Sequence, residues 1–287
     1  VTSPDGVRAD RGGHPVRLFR DLPFRTVGGG CDTVDMKLRS GAHLVGLAAL
    51  AMATVGCATT VSGLALPAPG ASPAPKPTPA KATTCVFVPD GRPSPSEADE
   101  DRVGRGPQSV AEDRPYTALV ATSAGEITVE LDVEHAPCAA RNFAFLIDNR
   151  FYNNTPCHRV TKYAQLKVLQ CGDPTGTGTG GPGYTIPDEL PKDLKKAGNA
   201  TNPDDVVYPR GTVAMAATDE PNSAGSQFFV VYGDSVLPPD YTVFGETDAE
   251  GLAVVDKVAG GELTPELGPE DGKPTPAVTI QKITYSG

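Results

Sequence analysis

"NSAGSQFFVVYGDS", residues Asn222 to Ser235, decides how this chain is read. A half-buried strand normally alternates apolar and polar residues. Here Ser226 and Gln227 abut the apolar run Phe228 to Val231, and Gly225 just before them can leave ordinary backbone space. In an extended chain Gln227 and Phe229 point to one face and Phe228 to the other. Two aromatic rings at adjacent positions therefore serve opposite sides of one strand.

Short runs of similar kind surround this stretch. "YTALVATSAGEITVELD" (116–132) reads as two strands around a Ser123-Ala124-Gly125 turn. In "APCAARNFAFLIDNR" (136–150), Phe143, Leu146 and Ile147 fall at helical spacing, and Pro137 suits a first helical turn. "PCHRVT", "LKVLQCGD", "GTVAMAAT" and "YTVFGE" are further strand-like runs. "AEGLAVVDKVAGG" (249–261) predicts a second helix with Leu252, Val255 and Val258 on one face and Gly260 as its stop. "PAVTIQKITYS" alternates and closes the chain. Many short strands with two helices predict a small antiparallel barrel, which leaves no open edge.

Five of these segments carry a resemblance. "FYNNTPCHRV", "LQCGDPTGTGTGGPGYTIPDEL", "GTVAMA", "GSQFFVVY" and "YTVFGE" occur in the order found in cyclophilins, the peptidyl-prolyl cis-trans isomerases, over roughly 116–283. The resemblance implies a mostly β fold, an eight-stranded antiparallel closed barrel capped by two α-helices, with the active groove on one outer face. Residues 115–287 are the expected isomerase domain.

The chemistry implied is rotation about an X-Pro amide. Resonance opposes that rotation with a barrier of about 18–20 kcal/mol. A catalyst need only bind the twisted amide better than the planar one. In the twisted state the prolyl nitrogen regains a lone pair, and a fixed donor aimed at it stabilises that state alone. Arginine supplies a permanent charge and a rigid fork of donors. Arg159 of "CHRV" matches the family's catalytic arginine and is expected to carry little packing. Alone it would read as a solvated arginine at a strand end. Gln170 of "LQCGD" matches the glutamine that hydrogen-bonds the substrate backbone.

By the same resemblance, Phe229 floors the proline pocket and Gln227 lies beside it, contacting substrate and supporting the arginine. Phe228 then points into the barrel. Ala216 and Ala217 match the segment that grips the substrate through its main chain, and Leu237 an apolar pocket wall. Tyr241 aligns with the family's pocket histidine and Val236 with a tryptophan seen in many members. Val168 takes the place of a methionine, while Leu166 is one candidate for the missing pocket aromatic. His158 matches a buried structural histidine. These departures predict weak cyclosporin A binding. The reaction breaks no covalent bond and requires no cofactor.

There are six cysteines, at 31, 57, 85, 138, 157 and 171, with no CxxC pair, and four histidines with no HExxH motif. The set gives no metal site. Cys85, Cys138, Cys157 and Cys171 predict two disulfides, with three possible connectivities. Strand parity places Cys157 on the face of Arg159 and Cys171 on the face opposite Gln170, which disfavours a Cys157–Cys171 bond.

The first hundred residues read as delivery. Lys37 and Arg39 precede the mostly apolar stretch Ala42 to Gly56, a signal-peptide pattern too short for a membrane span. It ends "TVGC", which resembles the lipoprotein box with Thr54 in place of leucine. Residues 36–57 are therefore an expected signal peptide, with Cys57 the lipidation site and an ordinary secretory peptide the alternative. Met36 is the expected start, and 1–35 a mis-called or disordered extension. Residues 58–114, with six prolines in 67–80 and the acidic "EADED", read as a disordered linker.

The net charge of −10 argues against nucleic-acid binding. The sequence thus predicts an extracytoplasmic, membrane-anchored isomerase that acts on proline-containing polypeptides. The alternatives are a non-catalytic proline-peptide-binding module or a structural envelope protein; Arg159, Gln170 and Phe229 favour the enzyme.

Overall fold

The computed structural model describes residues 84–93, 103, 106–107, 117–198 and 200–285. The expected signal peptide, Cys57 and the proline-rich part of the expected linker lie outside these residues. The strands are β1 (Val88–Pro93), β2 (Thr117–Thr122), β3 (Gly125–Leu131), β4 (Thr155–Cys157), β5 (Arg159–Thr161), β6 (Lys167–Cys171), β7 (Pro182–Thr185) and β8 (Lys195–Lys196). They continue with β9 (Val206–Tyr208), β10 (Thr212–Met215), β11 (Phe228–Gly233), β12 (Ser235–Leu237), β13 (Val243–Thr247), β14 (Glu262–Gly268), β15 (Asp271–Thr275) and β16 (Val278–Tyr285). The helices are α1 (Pro137–Asp148) and α2 (Ala249–Gly260).

The fold is mostly β with two helices, as expected, but the closed eight-stranded barrel does not form. The main sheet is a curled half-barrel of eleven strands in the order β14-β15-β5-β6-β11-β10-β13-β3-β2-β16-β4. Its terminal strands β14 and β4 do not pair. The cause is local. His158 interrupts one strand and divides it into β4 and β5. β4 pairs with β16, whereas β5 pairs with β6 and β15. The hairpin β14–β15 then extends the sheet beyond β5.

Alternation sets the core. Ala118, Val120, Ile127, Val129 and Leu131 of the first hairpin are buried on one face. In α1, Phe143, Leu146 and Ile147 are buried as their spacing predicts. Phe228 faces inward and meets Phe143 at 5.4 Å and Tyr152 at 5.8 Å, both edge-on. The N–H groups of Cys138 and Ala139, at the start of α1, donate to the Glu189 carboxylate at 2.9 Å, a distant side chain capping the helix. In α2 the fully buried positions are Gly251, Val255 and Val258, with Leu252 only half-buried. A Cβ at Gly251 would lie 2.3 Å from Thr247 Oγ1, so the helix approaches the sheet where only glycine fits.

Order reaches back into the segment read as a linker. β1 pairs with β7, Phe87 packs edge-on against Tyr184 at 5.7 Å, and Cys85 is bonded to Cys138. Val103 is also buried in the core. An ordered arm starting at Thr84 therefore precedes the expected domain start at residue 115 and packs against the domain.

The second disulfide is Cys157–Cys171, the pairing that strand parity disfavoured. Parity assumes unbroken alternation from Cys157 to Arg159. The interruption at His158 removes that assumption, and Cys157 follows the register of β4 against β16 instead.

Candidate active site

Register assembles the site. Arg159 of β5 stands opposite Gln170 of β6, Gln170 opposite Phe229 of β11, and Phe229 opposite Ala214 of β10. Directly paired residues share a face. Arg159, Gln170 and Phe229 thus form one row on the face opposite Phe228.

Side-chain hydrogen bonds tie the row together. Arg159 Nη1 donates to Gln170 Oε1 at 3.4 Å. Gln170 Nε2 donates to Gln227 Oε1 at 2.9 Å, and Gln227 Nε2 donates to the Gly180 carbonyl at 2.9 Å. Gln227 therefore supports the arginine through Gln170. The loop carrying Gly180 is wound around Asp173, whose carboxylate accepts from the N–H groups of Thr175, Gly178 and Gly180. Burial works to raise the pKa of Asp173, but hydrogen bonds from the Thr175 hydroxyl and from the Gly180 and Thr175 N–H groups prevail and hold it below the usual carboxylate value.

The opening stretch explains itself here. Ser226 Oγ donates to the Gly172 carbonyl at 2.8 Å, and the Ser226 carbonyl accepts from Tyr152 Oη at 3.1 Å. A Cβ at Gly172, where φ is +91°, would lie 2.4 Å from that Ser226 carbonyl. The backbones touch, and this close approach sets where Gln227 and Phe229 enter the row.

Arg159 makes its strongest contacts elsewhere. Its Nε donates to Asp271 Oδ1 at 2.7 Å and its Nη2 to Asp271 Oδ2 at 2.6 Å. The two side chains are only 7% and 5% exposed. Arg159 is thus buried and paired, contrary to the expectation that it carries little packing. Sequence reading missed Asp271, which lies 112 positions away in "GPEDGKP" and looks like an ordinary acidic turn. It also missed Tyr208, whose hydroxyl donates to the carbonyls of Pro238 and Tyr241 and accepts from the Tyr241 N–H, pinning the loop that presents Tyr241.

The remaining expected residues lie around this row. Phe229 is completely buried and meets the Tyr241 ring edge-on at 5.6 Å. The Phe229 ring is reached from outside only if a neighbour moves. Burial raises the pKa of the Tyr241 hydroxyl, and the positive charge of Arg159 opposes the shift. Ala216 N donates to the Gln227 carbonyl at 2.9 Å, which fixes the Ala216–Ala217 segment beside the row. Val168 sits two residues from Gln170 on the same strand, buried opposite Val231. Leu237, at the end of β12, is fully buried, while Val236 is half-buried and its N–H donates to the Gln165 carbonyl. Leu166 is buried and bridges to Tyr163. His158 is buried, and burial pushes its pKa down to about 4. Among the described residues, no group of three or more His, Cys, Asp or Glu side chains is placed to hold a metal.

Comparisons with known proteins place the chain in a family. The sequence model of the cyclophilin type peptidyl-prolyl cis-trans isomerase/CLD family matches residues 117–285. The chain is 43% identical over 199 residues to the probable peptidyl-prolyl cis-trans isomerase B of Mycobacterium leprae, covering 69% of this chain and 65% of that protein. It is 43% identical over 195 residues to the corresponding Mycobacterium tuberculosis protein, covering 67% and 61%. The chain thus spans slightly less than two thirds of both mycobacterial relatives. A Helicobacter pylori peptidyl-prolyl cis-trans isomerase is 40% identical over 148 residues, 51% of this chain and 82% of that protein. A crystal structure of a Cryptosporidium parvum cyclophilin type isomerase is 27% identical, covers 61% of this chain and 99% of that one, and has a TM-score of 0.47.

Proposed function

Because the chain belongs to the cyclophilin-type peptidyl-prolyl cis-trans isomerase family, we propose that its domain catalyses cis–trans isomerisation of X-Pro bonds in polypeptides. The row Arg159–Gln170–Phe229, one residue from each of three adjacent strands, carries this reading.

Each residue has a task that the rotation requires. Phe229 offers an apolar floor for the proline ring once its cover shifts. Gln170, held by Gln227, fixes the backbone on one side of the bond while the other side turns. Arg159 donates to the prolyl nitrogen as its lone pair appears. That donor adds little in the planar ground state, where the lone pair is delocalised, so its contribution falls on the transition state. Burial strengthens it by excluding competing water.

Turnover of a succinyl-Ala-Ala-Pro-Phe anilide by wild type and by Arg159→Ala tests the assignment. Loss of one such donor is expected to lower kcat/KM by about 10²–10³-fold. Activity of the variant within threefold of wild type rejects it. Removing Arg159 also leaves the Asp271 carboxylate buried without its partner, which destabilises by about 3–5 kcal/mol. The assay therefore needs circular dichroism alongside and Arg159→Lys as a charge-retaining control.

The proposed setting is extracytoplasmic, with a lipid on Cys57 holding the domain to the membrane, where it assists folding of exported proteins. Support comes from the apolar stretch Ala42 to Gly56 ending at Cys57 and from the two disulfides, a bond type that persists in oxidising compartments. Membrane fractionation of wild type against Cys57→Ser tests it. A wild-type protein found wholly in the soluble fraction rejects the anchor.

A further inference from the structure

We propose that Asp271 is a positioning residue for the isomerase reaction, setting the plane and direction of the Arg159 guanidinium. The inference rests on the isomerase reading above and adds a residue to it.

The observation is a two-point grip. Both oxygens of Asp271 accept from the Nε–Nη2 edge of Arg159, at 2.7 and 2.6 Å, with both side chains almost wholly buried. A parallel pair of charge-assisted bonds fixes a guanidinium in its own plane, which a single contact does not. The third contact, from Nη1 to Gln170, is longer at 3.4 Å and restrains the plane less.

The backbone under Asp271 is itself fixed. Asp271 opens β15 and pairs with Thr161, while Gly272 pairs with Val160, next to Arg159. On one side, Lys162 N donates to the Glu270 carbonyl at 2.8 Å. On the other, Gly272 lies so close to β14 that a Cβ would fall 2.0 Å from the Thr264 carbonyl oxygen. The hairpin β14–β15 is therefore seated on β5 at the position from which a carboxylate reaches Arg159. This gives the hairpin a task in the site.

Two effects of the carboxylate oppose one another. Its negative charge offsets that of the guanidinium and weakens its donors. Its geometry holds a long side chain where the twisted amide needs it, and small misplacement of a catalytic group is costly. The second effect dominates, because the acceptor is a neutral lone pair whose bond depends on direction more than on net charge. Asp271 does not reach the substrate and acts through Arg159.

The test compares kcat and KM of wild type, Asp271→Asn, Asp271→Glu and Arg159→Ala on the same tetrapeptide anilide, with circular dichroism and melting curves for each. Asparagine keeps the size but loses the charge and one of the two acceptors. It is expected to lower kcat roughly ten- to a hundredfold with KM within about threefold, one to two factors of ten in rate. Glutamate, which keeps both acceptors, is expected to recover at least threefold over asparagine. A kcat for Asp271→Asn within twofold of wild type, or above it, overturns the proposal, as does a loss confined to KM. If the asparagine variant does not fold, Asp271→Ser, which also removes the two-point grip, is measured in its place, and a kcat within twofold of wild type there overturns the proposal. Inactive Arg159→Ala beside fully active Asp271→Asn removes this inference and leaves the isomerase reading standing. An inactive wild type removes both.

Discussion

Cys157 is bonded to Cys171, and so joins the end of β4, two residues before Arg159, to the end of β6, one residue after Gln170. The bond closes a loop with a sequence separation of 14. A covalent link of that length restricts the unfolded chain by about 3 kcal/mol. Replacing both cysteines with alanine is expected to lower Tm by roughly 6–12 °C for a domain of this size. Scanning calorimetry of the non-reduced double variant measures it, and an unchanged Tm excludes a stabilising role.

His158 predicts an acid sensitivity with a definite window. Its pKa falls from 6.5 in the unfolded chain to about 4 in the fold, first through burial and then through the nearby Arg159 charge, with Asp173 opposing. Between those values the unfolded state binds more protons, so stability rises with pH. The contribution is complete above about pH 6.5 and is lost as pH falls to about 4, on the order of 3 kcal/mol in all. Urea unfolding from pH 4 to 7 is expected to slope upward, and His158→Gln to flatten the slope. An equal slope in both proteins refutes this account.

Tyr241 is expected to limit access to the pocket floor. It meets Phe229 edge-on, and Phe229 has no exposed surface. The smaller ring of Tyr241→His uncovers some tens of Å² of Phe229, worth about 1 kcal/mol to a proline ring at 25 cal/mol per Å². KM for the tetrapeptide is expected to fall about fivefold. An unchanged KM, with the fold retained, assigns the cover to another neighbour.

Cyclosporin A is expected to bind about tenfold to a few hundredfold more weakly than it binds cyclophilins with tryptophan at the position of Val236. The half-buried valine offers neither the broad apolar face nor the indole N–H of tryptophan. Titration of wild type and Val236→Trp decides it. Tighter binding by the variant with little change in turnover is the expected result. Strong nanomolar binding by wild type contradicts it.

What the sequence revealed depended on how far each relationship reaches along the chain. Gln227, Phe228 and Phe229 sort to two faces by strand alternation alone, and the structure places Phe228 against Phe143 and Phe229 against Tyr241. The row of Arg159, Gln170 and Phe229 came from ordered motifs, because each lies within a recognisable segment. Asp271 did not, because one aspartate before a glycine has the pattern of a turn, and only the folded hairpin brings it to Arg159. The Cys157–Cys171 pairing was misread because one residue, His158, breaks the strand. β1 went unseen because Pro89, Gly91 and Pro93 conceal a strand that adjoins β7 on one side.

The Cys85–Cys138 bond changes what it means to cut this chain. With a sequence separation of 53, it encloses the acidic stretch Glu97–Asp101 and the whole first hairpin in a covalent ring. A protease that cleaves once between the two cysteines breaks the backbone but releases nothing. The N-terminal piece and the C-terminal piece travel as one particle until a thiol opens the bond. Cleavage there and separation of the two pieces are separate events under separate chemical control. On a gel, such a cut chain migrates as two bands after reduction and as one before it.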